Sequence, residues 1–147
     1  MSLSPAGHRR LEALQVLATT REPRWSVFLP IRVQSRANDH RSNHWGHRAR
    51  TSATQGGAAV MALRGQKAFL RKLLSKSLVV RIVRIAPREL DSHDNLGMSL
   101  KAITDGVARA LGVDDRDQRV RFVPDAERGA PKTWGVRIEF YEGPTQP

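Results

Sequence analysis

Apolar residues recur along this chain with two different spacings, one typical of strands and one typical of helices. The run from Leu78 to Ile85 (LVVRIVRI) is β-branched almost throughout and is followed by Pro87, so it predicts a strand. From Asn95 to Leu111 an apolar residue recurs every three or four positions, which predicts a helix with one buried face. Gly112 follows directly and is a typical helix terminator.

Two further segments precede this centre. Trp25 to Val33 predicts a strand at a sheet edge or with a bulge, because Pro30 cannot donate a ladder hydrogen bond. Thr51 to Leu74 predicts a helix whose exposed side is basic, and the pair Gly56 and Gly57 is expected to delay or fray its start.

The end of the chain predicts two more strands, Arg119 to Val123 and Gly135 to Tyr141, joined by a turn-rich connection (PDAERGAPKT). The expected fold class is therefore α/β (α+β), with one small mixed sheet and two main helices. Residues 1–22, with a short amphipathic helix at Gly7 to Leu17 carrying leucines at three-residue spacing, are expected to be a basic appendage whose flexibility is left open. Residues 23–147 are expected to form one domain.

The charge of the chain points to its partner. Lys and Arg number 25 against 14 Asp and Glu, a formal net charge of +11, which predicts a polyanionic partner, with nucleic acid first and an anionic membrane surface second. No window approaches the roughly 20 apolar residues of a membrane span, so a soluble, by default cytoplasmic, protein is expected. The absence of cysteine excludes disulfides and thiolate metal sites.

Against this basic background, aspartates cluster around the helix predicted at Asn95 to Leu111. Taken singly they have structural explanations, since Asp94 or Asn95 is a good N-cap and the pair Asp114 and Asp115 suits a turn. Taken together they form an acidic pocket in a basic surface, the charge pattern of a metal-dependent nuclease that holds Mg²⁺ by carboxylates. The cluster, nearly half of the carboxylates of the chain, comprises Asp91, Asp94, Asp105, Asp114, Asp115 and Asp117.

Lys101 precedes Asp105 by four residues, so the two share a helix face. They form either a solvated ion pair worth a few tenths of a kcal/mol or, functionally, a cation aimed at a phosphate.

These residues resemble the RusA-type Holliday-junction resolvases of phages and prophages. The resemblance is carried by Leu90-Asp91, Asp94-Asn95-Leu96, Lys101-Ala102, Asp105-Gly106, Leu111-Gly112 and Asp114-Asp115, and with the preceding strand, loop and helix it covers Ser26 to Tyr141. It implies a RusA-like fold and a dimeric endonuclease, dependent on Mg²⁺ (or Mn²⁺), that cuts four-way DNA junctions in recombination and repair. It further implies that the metal ligands are Asp91, Asp94 and Asp115, with Asp114 as a fourth candidate, and that Lys101 is catalytic.

The chain departs from the family at His93, where an aspartate is common. Either the loop carries an extra residue and Asp91 still reaches the metal, or His93 serves as a ligand or proton acceptor. A second difficulty is length, because a helix from Asn95 to Leu111 spans roughly 25 Å and separates Asp94 from Asp115. A dimer with antiparallel copies of this helix would bring Asp94 of one subunit near Asp115 of the other, giving two shared sites.

The segment from Gln34 to Arg50 has no apolar period and predicts a basic loop. Trp45 would stack on an unpaired base or cover the local core. A zinc site at His40, His44 and His47 is the less favoured alternative to phosphate contacts. The expected DNA-binding residues are Arg36, Arg41, Asn43, His44, Trp45, Arg48 and Arg50.

Two other functions compete with a junction endonuclease. One is a basic DNA-binding protein that keeps the fold without metal chemistry, which His93 would permit. The other is a phage protein that binds or cleaves RNA. The sequence contains no GKS/T-type phosphate loop and no Ser-His-Asp order that would support another class of enzyme.

Overall fold

The computed structural model describes residues 4–19, 22–33, 45–88, 96–114 and 116–143, with the backbone alone at residues 6 and 45–49. Within these ranges the chain forms helices and strands in the order α1 (Pro5–Thr19), β1 (Trp25–Leu29), α2 (Trp45–Leu63), α3 (Lys67–Leu74), β2 (Leu78–Ala86), α4 (Leu96–Ser99), α5 (Lys101–Leu111), β3 (Val120–Arg128) and β4 (Gly135–Glu142). A 3₁₀ turn, Arg64–Gln66, joins α2 to α3.

The strands form one mixed sheet in the order β1-β4-β2-β3. Strand β4 is antiparallel to both β1 and β2, whereas β2 and β3 are parallel. The parallel pair requires a crossover, which α4 and α5 provide. The predicted α+β class with a single small mixed sheet is thus confirmed. Strand β1 lies at a sheet edge, one of the two predicted alternatives, but it ends at Leu29, before Pro30, rather than at Val33.

The main core lies between the helices α2, α3 and α5 and one face of the sheet. Leu63 of α2, Leu70 of α3 and Ile103 of α5 are fully buried there together with Ile82 and Phe140 of the sheet. Strand β2 is buried along most of its length because it is a central strand covered on both faces, which explains its nearly continuous β-branched sequence.

The second helix differs from its prediction at both ends. It begins at Trp45 rather than Thr51, so residues 45–50 belong to α2 and not to a loop. Gly56 and Gly57 do not delay its start, because they lie in its interior, where Gly56 is buried. The predicted single helix to Leu74 is divided by the 3₁₀ turn into α2 and α3.

The helix predicted at Asn95 to Leu111 is present in two parts. The described residues form α4 and then α5, with Leu100 between them. Its amide donates to the carbonyl of Leu96 at 3.1 Å and its carbonyl accepts from the amide of Thr104 at 2.9 Å, so the helical path continues through it. Gly112 ends α5 in the left-handed conformation with φ of 71°, which confirms its predicted role.

Strand β3 is longer than predicted. The sequence PDAER, predicted as part of a turn, continues β3 to Arg128, with Pro124 opposite Ile82 and Arg128 opposite Ala86 in the parallel ladder. Proline is tolerated here because β3 is an edge strand.

The N-terminal helix lies on the other face of the sheet. Ala13 is 1% exposed and packs with Val79 and Tyr141, joined by Val16 and Leu17. Leu11 and Leu14, two of the three leucines of the predicted apolar face, are instead exposed. The segment expected to be an appendage therefore contributes a small second core.

Candidate functional site

Most of the predicted site residues lie outside the described residues. This applies to the predicted metal ligands and their neighbour, namely Asp91, His93, Asp94 and Asp115, and to the loop residues Arg36, Arg41, Asn43 and His44. Trp45 and Arg48 lie in the first turn of α2, where only the backbone is described. The site can therefore be built from Lys101, Asp105, Asp114 and Arg50.

Lys101 and Asp105 lie on one face of α5, as their spacing predicted. The Lys101 Nζ is 3.5 Å from both carboxylate oxygens of Asp105. Their side chains are 52% and 49% exposed, so water screens the pair and its contribution to the free energy of unfolding is only about 0.5 kcal/mol. The ammonium group thus stands on the surface, where it can exchange Asp105 for a phosphate at little energetic cost.

The position of α5 depends on its close crossing with α2. A Cβ added at Gly106 would lie 2.5 Å from the carbonyl oxygen of Gly56 and 3.1 Å from the Cβ of Ala59. Only glycine at position 106 lets the two backbones approach so closely. Since Asp105 precedes this contact and Lys101 lies one turn earlier, the crossing fixes where both side chains emerge.

The residues after α5 form a compact turn that includes Asp114. An Asp114 carboxylate oxygen accepts the amide of Arg116 at 2.9 Å, and the Asp114 carbonyl accepts the amide of Asp117 at 3.0 Å. Asp117 binds the Arg119 guanidinium through both carboxylate oxygens, at 3.1 and 2.8 Å, and accepts its amide at 2.9 Å. The hydrogen bond from the Arg119 side chain is the main cause that lowers the pKa of Asp117.

Asp117 is therefore a structural carboxylate. Asp114 serves the same turn while remaining exposed. Carboxylate oxygens are the ligands that Mg²⁺ prefers, but within the described ranges no three His, Asp or Glu side chains group closely enough to hold a metal ion. Asp114 can contribute to such a site only with ligands from elsewhere.

The crossover joins opposite ends of the parallel strands β2 and β3. The segment with Asp91 and Asp94 follows the carboxyl end of β2, whereas Asp114 comes shortly before the amino end of β3. Because β2 and β3 are parallel and nine residues long, with Leu78 opposite Val120, these two strand ends lie about 26 Å apart. The described residues that flank the acidic segments thus attach to opposite ends of the crossover, which agrees with the separation expected from the length of the helix.

The helices that carry this site are strongly basic. From Trp45 to Lys76 the sequence contains seven Lys and Arg and no Asp or Glu. Arg50, the predicted DNA-binding residue with a described side chain, is exposed on α2. No ion pair joins it to any other described residue.

A polar network on the opposite face of the sheet was missed by sequence reasoning. Arg81 of β2 lies beside Glu139 of β4 in the ladder. Its guanidinium donates to Glu139 at 2.9 Å and to one oxygen of Asp125 at 2.9 and 2.6 Å. Glu139 also accepts from Arg137 at 2.7 Å and from the Tyr141 hydroxyl at 2.8 Å. The signal in the sequence was the presence of charged residues, Arg81, Arg137 and Glu139, within strands that are otherwise largely apolar.

This network is electrostatically matched. Burial opposes ionisation of Glu139, but hydrogen bonds from Arg137, Tyr141 and Arg81 outweigh it and lower its pKa. Burial, the hydrogen bond to Glu139 and the negative charge of Glu139 raise the pKa of Tyr141 to about 12. The guanidinium groups of Arg81 and Arg137 on this face are thus paired with carboxylates.

Among the described residues no helix is both long enough and apolar enough to cross a bilayer. A comparison of the chain with protein-family models gives no match, and a comparison with curated proteins gives none either. The resemblance to RusA-type resolvases consequently rests on individual residues and their spacing along the chain.

Proposed function

We propose that this protein is a Mg²⁺-dependent, structure-selective DNA endonuclease that resolves four-way junctions. The observation that supports this proposal most is the setting of Lys101. Lys101 is an exposed cation in the first turn of α5. Along the chain, two aspartates precede this helical segment and two follow it, and the helices around it carry more Lys and Arg than Asp and Glu. A nuclease needs this combination of a basic surface and a local group of carboxylates.

Each residue has a role that follows from its chemistry. Asp91, Asp94 and Asp115 would hold the metal ion, with Asp114 as a further ligand and His93 as the substitute if Asp91 does not reach. When bound, Mg²⁺ offsets the charge of the scissile phosphate and lowers the pKa of a coordinated water. The substrate phosphate would displace Asp105 from Lys101, and the Lys101 ammonium would then hold that phosphate in place.

The active unit is a homodimer with two shared sites. The length of the crossover supports this arrangement, since the strand ends that it joins lie about 26 Å apart within one chain. A two-fold dimer would place the Asp94 segment of one subunit beside the Asp115 segment of the other. Two equal sites would also suit symmetric cutting of a two-fold junction.

Cleavage of a synthetic four-way junction tests the proposal. We expect symmetric nicks in the presence of Mg²⁺ and none with EDTA. The Asp94→Asn variant removes one predicted ligand and should abolish cleavage while keeping junction binding. If the wild-type protein binds the junction but cuts in neither Mg²⁺ nor Mn²⁺, the protein is a DNA-binding protein without metal chemistry.

A competition experiment addresses the RNA alternative. Labelled junction DNA is bound to the protein in EDTA and challenged with unlabelled junction, linear duplex DNA or structured RNA of equal length. The proposal requires the junction to compete best. Stronger competition by structured RNA would instead favour an RNA-directed protein.

A further inference from the structure

The helix α3 presents a row of cations on its exposed side. Arg64, in the 3₁₀ turn that precedes it, and Lys67, Arg71 and Lys72 are all exposed, whereas Leu70, Leu73 and Leu74 face the core. The spacing of three, four and one residues keeps these cations on one side of the helix. At 1.5 to 2 Å per residue the row is about 12 to 14 Å long.

This row continues onto α5. A Cβ at Gly112 would lie 3.5 Å from a terminal guanidinium nitrogen of Arg71, so the Arg71 side chain reaches the end of α5. Arg109 is exposed one turn before that end, on the same stripe as Lys101 and Asp105. We call the residues Arg64, Lys67, Arg71, Lys72 and Arg109 the α3 track.

The charges of the α3 track are not neutralised within the described parts of the chain. None of its members forms an ion pair with another described residue, in contrast to Arg81 and Arg137 on the other side of the sheet, each of which contacts at least two carboxylates. The described carboxylates near these helices already have other partners: Asp105 pairs with Lys101, and Asp114 accepts the amide of Arg116. Like charges held this close without counterions destabilise the fold, so a polyanion is the matching partner.

We propose that the α3 track binds the phosphate backbone of a duplex DNA arm that extends away from the site at Lys101. None of its residues is among the DNA-binding residues that the sequence indicated between positions 36 and 50. The inference rests on the proposed function for its choice of DNA as the polyanion. Phosphates lie about 3.4 Å apart along the axis on each strand of a duplex, so a row of this length spans about three or four of them.

Duplex binding in EDTA tests the α3 track without any cleavage. The variant Lys67→Gln, Arg71→Gln, Lys72→Gln is compared with a control, Arg10→Gln, Arg24→Gln, Arg128→Gln, which removes three exposed cations elsewhere and leaves the same net charge. We expect the track variant to bind a linear duplex at least about tenfold more weakly. The slope of log K against log salt should fall in magnitude by about 0.9 for each phosphate that the variant no longer neutralises. The control should bind nearly as the wild type does.

Three outcomes would overturn the proposal: equal weakening in both triple variants, wild-type affinity in the track variant, or tighter binding of the wild type to duplex RNA than to duplex DNA. A wild-type protein with no affinity for duplex DNA would overturn it as well. Because binding is measured without metal, failure of the nuclease proposal leaves this test intact. A protein that binds duplex DNA through α3 but never cuts a junction would support the α3 proposal and contradict the nuclease proposal.

A second measurement does not depend on charge removal. The chain has no cysteine, so a single Ala68→Cys, exposed within the α3 track, takes a thiol-linked aryl azide at one position. Ala126→Cys on the edge strand β3 is the matched exposed control. Illumination should crosslink duplex DNA to position 68 and much less to position 126, and equal crosslinking at both would contradict the assigned surface.

Discussion

The backbones of Gly56 in α2 and Gly106 in α5 are in direct contact, so that a methyl group added at position 106 would lie 2.5 Å from the Gly56 carbonyl oxygen. The neighbouring Gly57 has no atom within 4 Å of the corresponding position. Two glycines on crossing helices thus determine how α5, and with it Lys101, is placed on the sheet.

Gly106→Ala should destabilise the protein. Overpacking of two backbones costs about 1–3 kcal/mol, which exceeds the roughly 0.5–1 kcal/mol that alanine gains over glycine in a helix. Gly57→Ala is the matched control and should stabilise by that smaller amount. Urea unfolding followed by tryptophan fluorescence measures both, and a Gly106→Ala variant as stable as Gly57→Ala would show that the helices separate without cost.

The same glycines show why part of the fold could not be read from the sequence. Gly56 and Gly57 predicted a frayed helix start because glycine has low helix propensity, but the contact that requires glycine at this crossing is formed with residue 106, fifty positions away. Similarly, PDAER predicted a turn, and its pairing with β2 is set by tertiary contacts such as that of Asp125 with Arg81. Helix and turn propensities reflect local sequence, whereas both of these contacts join residues that are far apart along the chain.

The confirmed predictions depended on strong local signals. Strand β2 follows from its β-branched sequence and the end of α5 from Gly112. Of the site, the pairing of Lys101 with Asp105 follows from four-residue spacing. The metal ligands Asp91, Asp94 and Asp115 stay predictions, because they lie outside the described residues.

Tyr141 should ionise only in strongly alkaline solution. It is the one tyrosine of the chain, so absorbance at 295 nm reports its titration alone. In the folded protein we expect a midpoint near pH 12, because burial and the hydrogen bond to Glu139 raise its pKa to about 12. In denaturant the midpoint should return to about 10. A midpoint near 10 in the folded protein would contradict the contact with Glu139.

The sign of the linked stability follows from that shift. Because the pKa of Tyr141 is higher in the folded than in the unfolded state, its contribution to the free energy of unfolding is complete below pH 10 and is lost as the pH rises from about 10 to about 12. The Tyr141→Phe variant has no ionisable hydroxyl and should show a weaker loss of stability across that window.

Glu139→Gln should be more damaging than removal of an exposed carboxylate. Glu139 is 6% exposed and accepts hydrogen bonds from two arginines and Tyr141. Loss of its charge leaves those guanidinium groups undercompensated, at a cost of about 3 kcal/mol. Glu142→Gln breaks the exposed pair with Lys76 and should cost less than about 1 kcal/mol. Equal destabilisation of the two variants in chemical denaturation would mean that the network contributes little.

Acid should weaken the same network. The pKa of Glu139 is lower in the folded state, so its contribution to stability is complete above about pH 4.5 and is lost as the pH falls through the lowered folded value. In Glu139→Gln this part of the acid dependence should disappear, which a series of unfolding curves between pH 6 and 3 would reveal.

Lys101 and Asp105 should differ in their effect on cleavage although they form one ion pair. Lys101→Gln removes the cation that would hold the phosphate and should lower the rate of junction cleavage by about 100-fold or more. Asp105→Asn only releases that cation and should retain most of the rate. Both side chains are about half exposed, so neither change should alter the melting temperature appreciably. If both variants had equally small effects on cleavage, Lys101 and Asp105 would be only a surface ion pair with no role in the reaction.

Subunit mixing tests whether each site is shared between two chains. The crossover joins ends of β2 and β3 that lie about 26 Å apart, which is the basis for expecting that two chains complete each site. Asp94→Asn and Asp115→Asn homodimers should each be inactive. In a heterodimer one shared site would carry both substitutions and the other none, so mixing should restore up to a quarter of wild-type nicking, since half of the dimers would carry one of two sites. Subunit exchange is verified with differently tagged chains. Sites contained within one chain would be defective in every heterodimer, and absence of recovery after verified exchange would exclude the shared arrangement.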